Sequence, residues 1–529
     1  MATELSWPGR NNSDTLISAI FDVAASDPER PLFQPVDGET VSYRGAEEHI
    51  YSWANRFRAL GVGPGDRVGF MLGANITSAV APLGAALLGA WEVPVNAGYR
   101  GAVLRHIVED AGLRVLVVTA PSLAMIEQLG ELPAGLKQIV VVGRPGVTSL
   151  PADVVVPVDR IDAPESREGF TLPKPWDVSG LMYTSGTTGP AKGVVLPWGS
   201  WTAAFEFMAH LFTEDEVLYA PFPFYHGLAR VSLTAAAMLG ARVVVRESFK
   251  TQHFWADVDT FGCTFTATTP TVLQWLLNEP AGEHDLHHPL RRILAYGPQL
   301  LKFAERFGTE MSSMFAMTEV GSVVVYNDRD LPPGTSGKPR PDYDVRVVDE
   351  FDQEVPVGDV GELIVRSDRP WTTNLGYYGL PEESLHAWRN GWYHTGDNFR
   401  VDDDGFYAFA DRKKDMIRRR GVNISSFQIE SAVLEYTAVH EAAAIGVPSP
   451  DGEEDIKIFV VEQQGFTIQP DALHKFLRDA LPTFMVPRYI EIVADLPKTP
   501  VTFRVRKHLL RGSPLEARGW DATVSEVQA

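Results

Sequence analysis

The chain has 529 residues, 45% of them hydrophobic and 22% charged, which is too long for one hydrophobic core, so two or more domains are expected. A formal net charge of −21 excludes the basic face of a nucleic-acid binder and reads as a solvated acidic surface. A single cysteine, Cys263, excludes an internal disulfide and a multi-cysteine metal site, and within Phe261-Gly-Cys-Thr-Phe265 it reads as a small buried hydrophobe.

The first residues, Met1-Ala-Thr-Glu-Leu-Ser-Trp7, lack a basic region followed by an apolar core, so no signal peptide is expected. No apolar run reaches about 18 residues, so no membrane span is expected and a cytoplasmic enzyme is the default. After the turn Gly61-Val-Gly-Pro-Gly65, Asp66-Arg-Val-Gly-Phe-Met-Leu72 predicts a buried strand. That turn precedes a strand rather than opening a helix, which rules out a dinucleotide fingerprint. Ser78 to Ala90 predicts a small-residue helix packed closely on a neighbour. Arg114-Val-Leu-Val-Val118 and Gln138-Ile-Val-Val-Val142 predict further buried strands, and the alternation with helical segments predicts parallel sheets in an α/β layering.

Next comes Tyr183-Thr184-Ser185-Gly186-Thr187-Thr188-Gly189-Pro190-Ala191-Lys192-Gly193, between the apolar runs Gly180-Leu-Met182 and Val194-Val-Leu196. Glycines let backbone N–H groups approach an anion, and the hydroxyls and one ammonium add donors, so the segment reads as a phosphate cradle. It lacks the spacing of a P-loop NTPase. In Ala220-Pro-Phe-Pro-Phe-Tyr-His226 the aromatics, Phe224 among them, suit a flat or apolar substrate; for His226 a substrate contact and a locally satisfied core histidine both stay open. His284, His287 and His288 sit in a Glu/Asp/Pro-rich segment and read as a solvated loop rather than a metal cluster.

Met311-Ser-Ser-Met-Phe-Ala-Met-Thr-Glu319 places an aromatic, a threonine and a carboxylate together. From about Asp342 the texture becomes β-rich, with Val345-Arg-Val-Val-Asp349 and Gly361-Glu-Leu-Ile-Val-Arg366. Trp392-Tyr-His-Thr-Gly-Asp397 ends in a turn carboxylate, and the charged run Asp411-Arg-Lys-Lys-Asp-Met-Ile-Arg-Arg-Arg-Gly421 marks a domain boundary. Beyond it are predicted a helix, the strand Ile456-Lys-Ile-Phe-Val-Val461, a helix from Asp471, a basic end and, after Arg511, a polar, frayed tail.

Taken in order, the segments at 183–193, 315–319, 394–397, 411–421 and 497–500 resemble the core motifs of the adenylate-forming superfamily of acyl-CoA synthetases, peptide-synthetase adenylation domains and firefly-type luciferases. Asn96-Ala-Gly-Tyr-Arg-Gly101 and Arg418-Arg-Arg-Gly-Val-Asn-Ile-Ser-Ser-Phe427 are most similar to the crotonobetaine/carnitine-CoA ligase-like branch. The resemblance implies an α/β fold: a large N-terminal domain of layered mixed β-sheets with helices over residues 1–411, and a small mobile α+β C-terminal domain over 412–529, hinged near Lys414. It implies that ATP activates an acid as acyl-AMP with release of pyrophosphate, and that CoA or another thiol or amine acceptor then displaces AMP.

The implied roles follow residue by residue. Thr184, Ser185, Gly186, Thr187, Thr188 and Lys192 would hold the β- and γ-phosphates, and Thr318 the α-phosphate. Glu319 would hold Mg²⁺, a hard ion suited to carboxylate oxygens. Tyr296, Gly297 and Pro298 would line the adenine pocket, with Phe315 stacking where the family has a tyrosine, and Ala316 and Met317 beside it. Asp397 and Arg412 would grip the ribose. Phe224, His226, Tyr296 and Met317 would meet the acid, and because a histidine stands where peptide synthetases place an aspartate, an α-amino acid is disfavoured. No nucleic-acid partner is implied, and a homodimer stays open. Taken singly, Glu319 is a surface carboxylate, Asp397 a turn former and Phe315 core; it is their order that decides.

One motif departs. The family pattern Pro-Lys-Thr-x-x-Gly-Lys ends in a lysine that bridges the carboxylate and the α-phosphate, whereas this chain reads Leu496-Pro-Lys-Thr-Pro-Val-Thr-Phe-Arg-Val-Arg-Lys-His508. Allowing one extra residue puts Phe503 at the glycine and Arg504 at the lysine, which makes Arg504 the catalytic candidate; matching from the left puts Phe503 at the lysine. Val422 and Gln428 also stand where acidic residues are usual. Arg504 or Lys507 acting for the lysine, a catalytically impaired nucleotide binder, and an unusual ligase (amide-forming, or nitrite-activating on an aromatic amine) are the alternatives left open.

Overall fold

The computed structural model describes residues 14–184, 190–412, 415–419, 422–449, 454–499, 503–511 and 519–522. The chain divides into two compact units: residues 1–331 with 337–344 and 365–393, and residues 332–336 with 345–364 and 394–529.

Among the described residues, the first unit carries a seven-stranded and a nine-stranded sheet. In the seven-stranded sheet, Arg67–Met71 lies between Val115–Thr119 and Trp91–Pro94, parallel to both. Gln138–Val142 extends the parallel run. Val178–Thr184 pairs parallel to Trp91–Pro94, and Lys192–Pro197 closes the edge antiparallel. Strands buried on both faces need apolar residues on both, which is why 115–118 and 139–141 read as unbroken Val/Leu/Ile runs. Gly180 is fixed by a close approach: a Cβ there would lie 2.2 Å from the Glu92 carbonyl oxygen.

The expected small-residue helix is Ile76–Ala86, capped by Asn75, whose side chain accepts from the Ser78 N–H. Its neighbour is the helix Tyr43–Ala59, and a Cβ on Gly84 would stand 2.8 Å from the Ile50 carbonyl oxygen. In the nine-stranded sheet, Phe265–Ala267, Arg292–Ala295 and Glu310–Met317 run parallel, and Gly321–Tyr326 returns antiparallel. Cys263 is fully buried, and burial pushes its thiol up to about 12. The expected exposed loop is present, with Leu286 82% exposed and His287 exposed, but His284 and His288 rest their rings on Trp255 at 5.6 and 4.9 Å, and His288 Nε2 donates to the Phe307 carbonyl at 2.8 Å.

In the second unit, Val439–Pro448 and Glu454–Glu462 pair antiparallel, and Tyr489–Ile492 joins parallel. The core there is built from Ile456, Ile458, Val460, Leu473, Leu477 and Ile490. The expected fraying fails at 519–522, because Trp520–Asp521 adds a last strand against Tyr489 and Ile490. Trp520 anchors it by packing at a tilt against the His474 ring, 4.9 Å away, and by donating from Nε1 to Asp471 at 3.1 Å.

Candidate functional site

The first unit gathers one cluster around the strand pair Val178–Thr184 and Lys192–Pro197. Antiparallel register sets Thr184 opposite Lys192 and Tyr183 opposite Gly193. Ser185, Gly186, Thr187 and Thr188, the core of the expected cradle, lie outside the described residues. Its two stems are tied to the helix Gly101–Asp110: Tyr183 donates its hydroxyl to Asp110 Oδ2 at 2.5 Å, and His106 Nε2 donates to the Ala191 carbonyl at 2.8 Å.

Lys192 Nζ sits 2.5 Å from Glu383 Oε2 and 5.4 Å from the centre of the Tyr377 ring. The Lys192 ammonium holds the Glu383 carboxyl below the usual carboxylate range. The segment that brings Tyr377 here is hydrogen-bonded to the second stem, with Leu375 N donating to Val195 O at 2.9 Å and Tyr378 N to Gly193 O at 2.8 Å. The same segment holds Glu319, which is 7% exposed in the turn after the strand Glu310–Met317. Asn374 donates from its backbone N and its Nδ2 to the Glu319 carbonyl at 2.7 and 2.8 Å, and Tyr377 donates its hydroxyl to Glu319 Oε1 at 3.3 Å. Two expected residues far apart in sequence, Lys192 and Glu319, therefore share a neighbour. Asn374, Tyr377, Tyr393 and Glu383 were not picked out by sequence; the available signal was the run Asn374-Leu-Gly-Tyr-Tyr378, whose aromatics flank a glycine between two regular elements.

Tyr296-Gly297-Pro298 ends the strand Arg292–Ala295 and leads into the helix Gln299–Phe307, with Gly297 at φ 85° and Tyr296 46% exposed. Parallel register sets Ala295 against Ser313, so 296–298 and 315–318 lie at the same carboxyl edge of those strands, where open α/β sheets bind ligands. A register shift between Phe315 and Ala316 re-aims the side chains that follow, and Phe315, Met317 and Thr318 are half-buried.

His226 caps the helix Gly227–Leu239, its Nδ1 accepting from Leu228 N at 3.2 Å. With Nδ1 accepting, the neutral ring carries its proton on Nε2. Burial pulls its pKa down to about 4. Phe224 is 2% exposed and packs 6.1 Å from the Phe33 ring, under the Arg230 guanidinium at 5.8 Å. Arg230 in turn pairs with buried Glu92 at 2.5 Å.

In the second unit, antiparallel register sets Asp397 directly opposite Arg412, bringing the two ribose candidates together on adjacent strands. Asp397 is 3% exposed, and its backbone N–H donates to Thr395 Oγ1 at 3.1 Å. Lys414 lies outside the described residues, and of Arg412 only the backbone is described.

The departing motif folds as a small hairpin. Lys498 bridges Val505; Thr499 N donates to Arg504 O at 2.8 Å, and Arg506 N to Pro497 O at 2.7 Å. Phe503 sits at φ 54°, the left-handed region that costs a bulky residue about 1–2 kcal/mol and that glycine occupies freely. The lysines on either side are spent elsewhere: Lys498 Nζ on Glu441 at 2.8 Å and Asp495 at 2.7 Å, Lys507 Nζ on Ser426 at 2.5 Å and Glu430 at 2.8 Å. Arg504 is exposed.

Comparison with known proteins gives concordant results. The family model described as AMP-binding enzyme matches residues 20–378, and that described as AMP-binding enzyme C-terminal domain matches 428–501. A crotonobetaine/carnitine-CoA ligase of Salmonella arizonae is 29% identical over 508 residues, covering 90% of this chain and 95% of that protein. In fold, the chain is similar to the anthranilate CoA ligase AuaEII in complex with anthranoyl-AMP, with a TM-score of 0.82 at 23% identity over 94% of this chain and 96% of that one. It is likewise similar to ATP-bound MatB from Rhodopseudomonas palustris, with a TM-score of 0.80 at 24% identity over 94% and 98%.

Proposed function

Because this chain belongs to the AMP-binding enzyme family of adenylate-forming ligases, we propose that it activates a carboxylic acid with ATP as acyl-AMP and passes the acyl group to CoA. The observation that carries the reading is the convergence of Lys192 and Glu319 on one neighbour beside the cradle stems. An ammonium and a buried carboxylate at one place are what a magnesium triphosphate requires: a cation for the phosphate oxygens and a hard anionic ligand for the metal. Mg²⁺ held by Glu319 would neutralise charge on the departing pyrophosphate.

In the first half-reaction an acid oxygen attacks the α-phosphorus and the bond to pyrophosphate breaks. Lys192 binds the β- and γ-phosphates, Thr318 reaches the α-phosphate, Tyr296-Gly297-Pro298 and Phe315 hold adenine, and Asp397 with Arg412 holds the ribose. Arg504 supplies the donor that meets the α-phosphate and the acid. Its support is Phe503, whose positive φ is the conformation a glycine would take at the preceding motif position. Lys498 and Lys507 are each held in ion pairs, which argues against either of them taking the lysine's place. In the second half-reaction the CoA thiol attacks the acyl carbon and AMP leaves, after the second domain turns about a hinge near Lys414. His226, with its proton on Nε2, and Met317 face the acid. Among the described residues no helix is long and apolar enough to cross a membrane, and we place the enzyme in the cytoplasm.

The test is AMP release across a panel of small aromatic and aliphatic acids, with and without CoA, then with amines and nitrite. Acid- and CoA-dependent AMP release is expected. Release that needs an amine or nitrite and ignores CoA would replace the acceptor, and no release with any combination would overturn the enzyme reading.

A further inference from the structure

We propose that Tyr377 is a positioning residue that holds the Lys192 ammonium and the Glu319 carboxylate in place for a magnesium nucleotide; this rests on the roles given to Lys192 and Glu319 above. One side chain serves both groups. Its ring face lies 5.4 Å from Lys192 Nζ, and its hydroxyl donates to Glu319 Oε1 at 3.3 Å. Opposite charges facing one ligand attract each other, and a direct pair would withdraw both from it. Lys192 also pairs with Glu383 Oε2 at 2.5 Å, so the ring adds a second contact to that cation while its hydroxyl takes the Glu319 anion, and both groups meet one side chain.

Tyr377 is itself held. Its backbone N donates to Ser384 Oγ at 2.8 Å, and it bridges Val194. Its hydroxyl shares a hydrogen bond of 2.9 Å with the Tyr393 hydroxyl. Tyr393 packs edge-on against Trp388 at 5.2 Å, Trp388 Nε1 donates to Asn374 Oδ1 at 3.2 Å, and Asn374 donates back to the Glu319 carbonyl. The ring of contacts closes on Glu319, fixing both its carboxylate and its backbone.

The experiment is calorimetric binding of α,β-methylene-ATP, which cannot turn over, at several Mg²⁺ concentrations, with thermal unfolding of the free protein alongside. Tyr377→Phe keeps the ring and removes the donor. It should raise the Mg²⁺ concentration needed for half-maximal binding about tenfold, as expected for a lost hydrogen bond to a charged group, while leaving metal-free binding and the unfolding temperature near the parent values. Tyr377→Leu also removes the ring face and should weaken metal-free binding. Tyr377→Phe with the parent's Mg²⁺ dependence would overturn the proposal, as would an equal loss with and without Mg²⁺ accompanied by a lowered unfolding temperature. Glu319→Gln separates the two levels. If it also leaves the Mg²⁺ dependence unchanged, the metal role of Glu319 falls and the positioning role with it; if it abolishes the dependence while Tyr377→Phe does not, only the positioning role falls.

Discussion

Two hairpins carry the lysine-bearing motifs, and they differ in how sequence and backbone agree. At 178–197 the motif residues are those of the family, and the fold adds a set of partners drawn from helix Gly101–Asp110 and from the segment around Tyr377. At 497–506 the side chains depart from the family pattern, and Phe503, which one of the two alignments sets at the glycine, sits at positive φ. The difference is that the first motif is carried by its side chains, whereas at the second it is the backbone of Phe503 that fits a glycine position. A phenylalanine at positive φ carries a cost of about 1–2 kcal/mol that its surroundings have to offset.

The comparison breaks most readily at Lys192. Lys192→Ala should lower acid-dependent pyrophosphate exchange about 10²–10³-fold, the usual cost of one transition-state donor; an exchange rate near the parent's would remove the first hairpin from the chemistry. Phe503 sharpens the second hairpin. Phe503→Gly should unfold at equal or higher denaturant than the parent, and Phe503→Val should be less stable than Phe503→Gly by about 1–2 kcal/mol, because a β-branched residue tolerates the left-handed region worst. Equal stabilities would mean that the kink is not enforced.

Smaller effects follow from two titratable groups in the first unit. Glu383 occupies Lys192 where phosphate oxygens are expected, so Glu383→Gln should lower the KM for ATP a few-fold with kcat little changed; a raised KM would make Glu383 part of the nucleotide site instead. His226 stays neutral in the fold down to about 4, while the unfolded imidazole takes a proton near its ordinary 6.5. Between those values the unfolded chain binds more protons, so stability falls as pH falls. His226→Gln should flatten that part of the unfolding profile, and an unchanged slope would place the acid sensitivity elsewhere.

Much of the fold was legible because buried parallel strands are local apolar runs. Arg67–Met71, Val115–Thr119 and Gln138–Val142 each lie within two residues of their expected bounds. The helix Ile76–Ala86 ends four residues before the expected Ala90, whereas the strand Glu454–Glu462 was equally readable. Trp520–Asp521 was not, because a two-residue strand has no period and depends on a partner 30 residues away. In the candidate site, Lys192, Glu319 and Asp397 could be named from order alone. Tyr377 and Asn374 could not, since their role comes from backbone pairing with 193–195 and from reaching a residue more than 50 positions earlier. Nor could sequence decide between Arg504 and Lys507. What it could not show is that Ser426 and Glu430, on a helix some 80 residues upstream, hold the Lys507 ammonium.

The most direct measurement is acid-dependent pyrophosphate exchange by Arg504→Ala and Arg504→Lys, beside transfer to CoA from acyl-adenylate supplied ready-made. The predicted result is a loss of about 10²–10³-fold in exchange for Arg504→Ala, partial or full recovery in Arg504→Lys, and transfer from the ready-made adenylate close to the parent in both. Exchange undiminished in Arg504→Ala would contradict the account, because the second hairpin would then have kept its shape without keeping its chemistry.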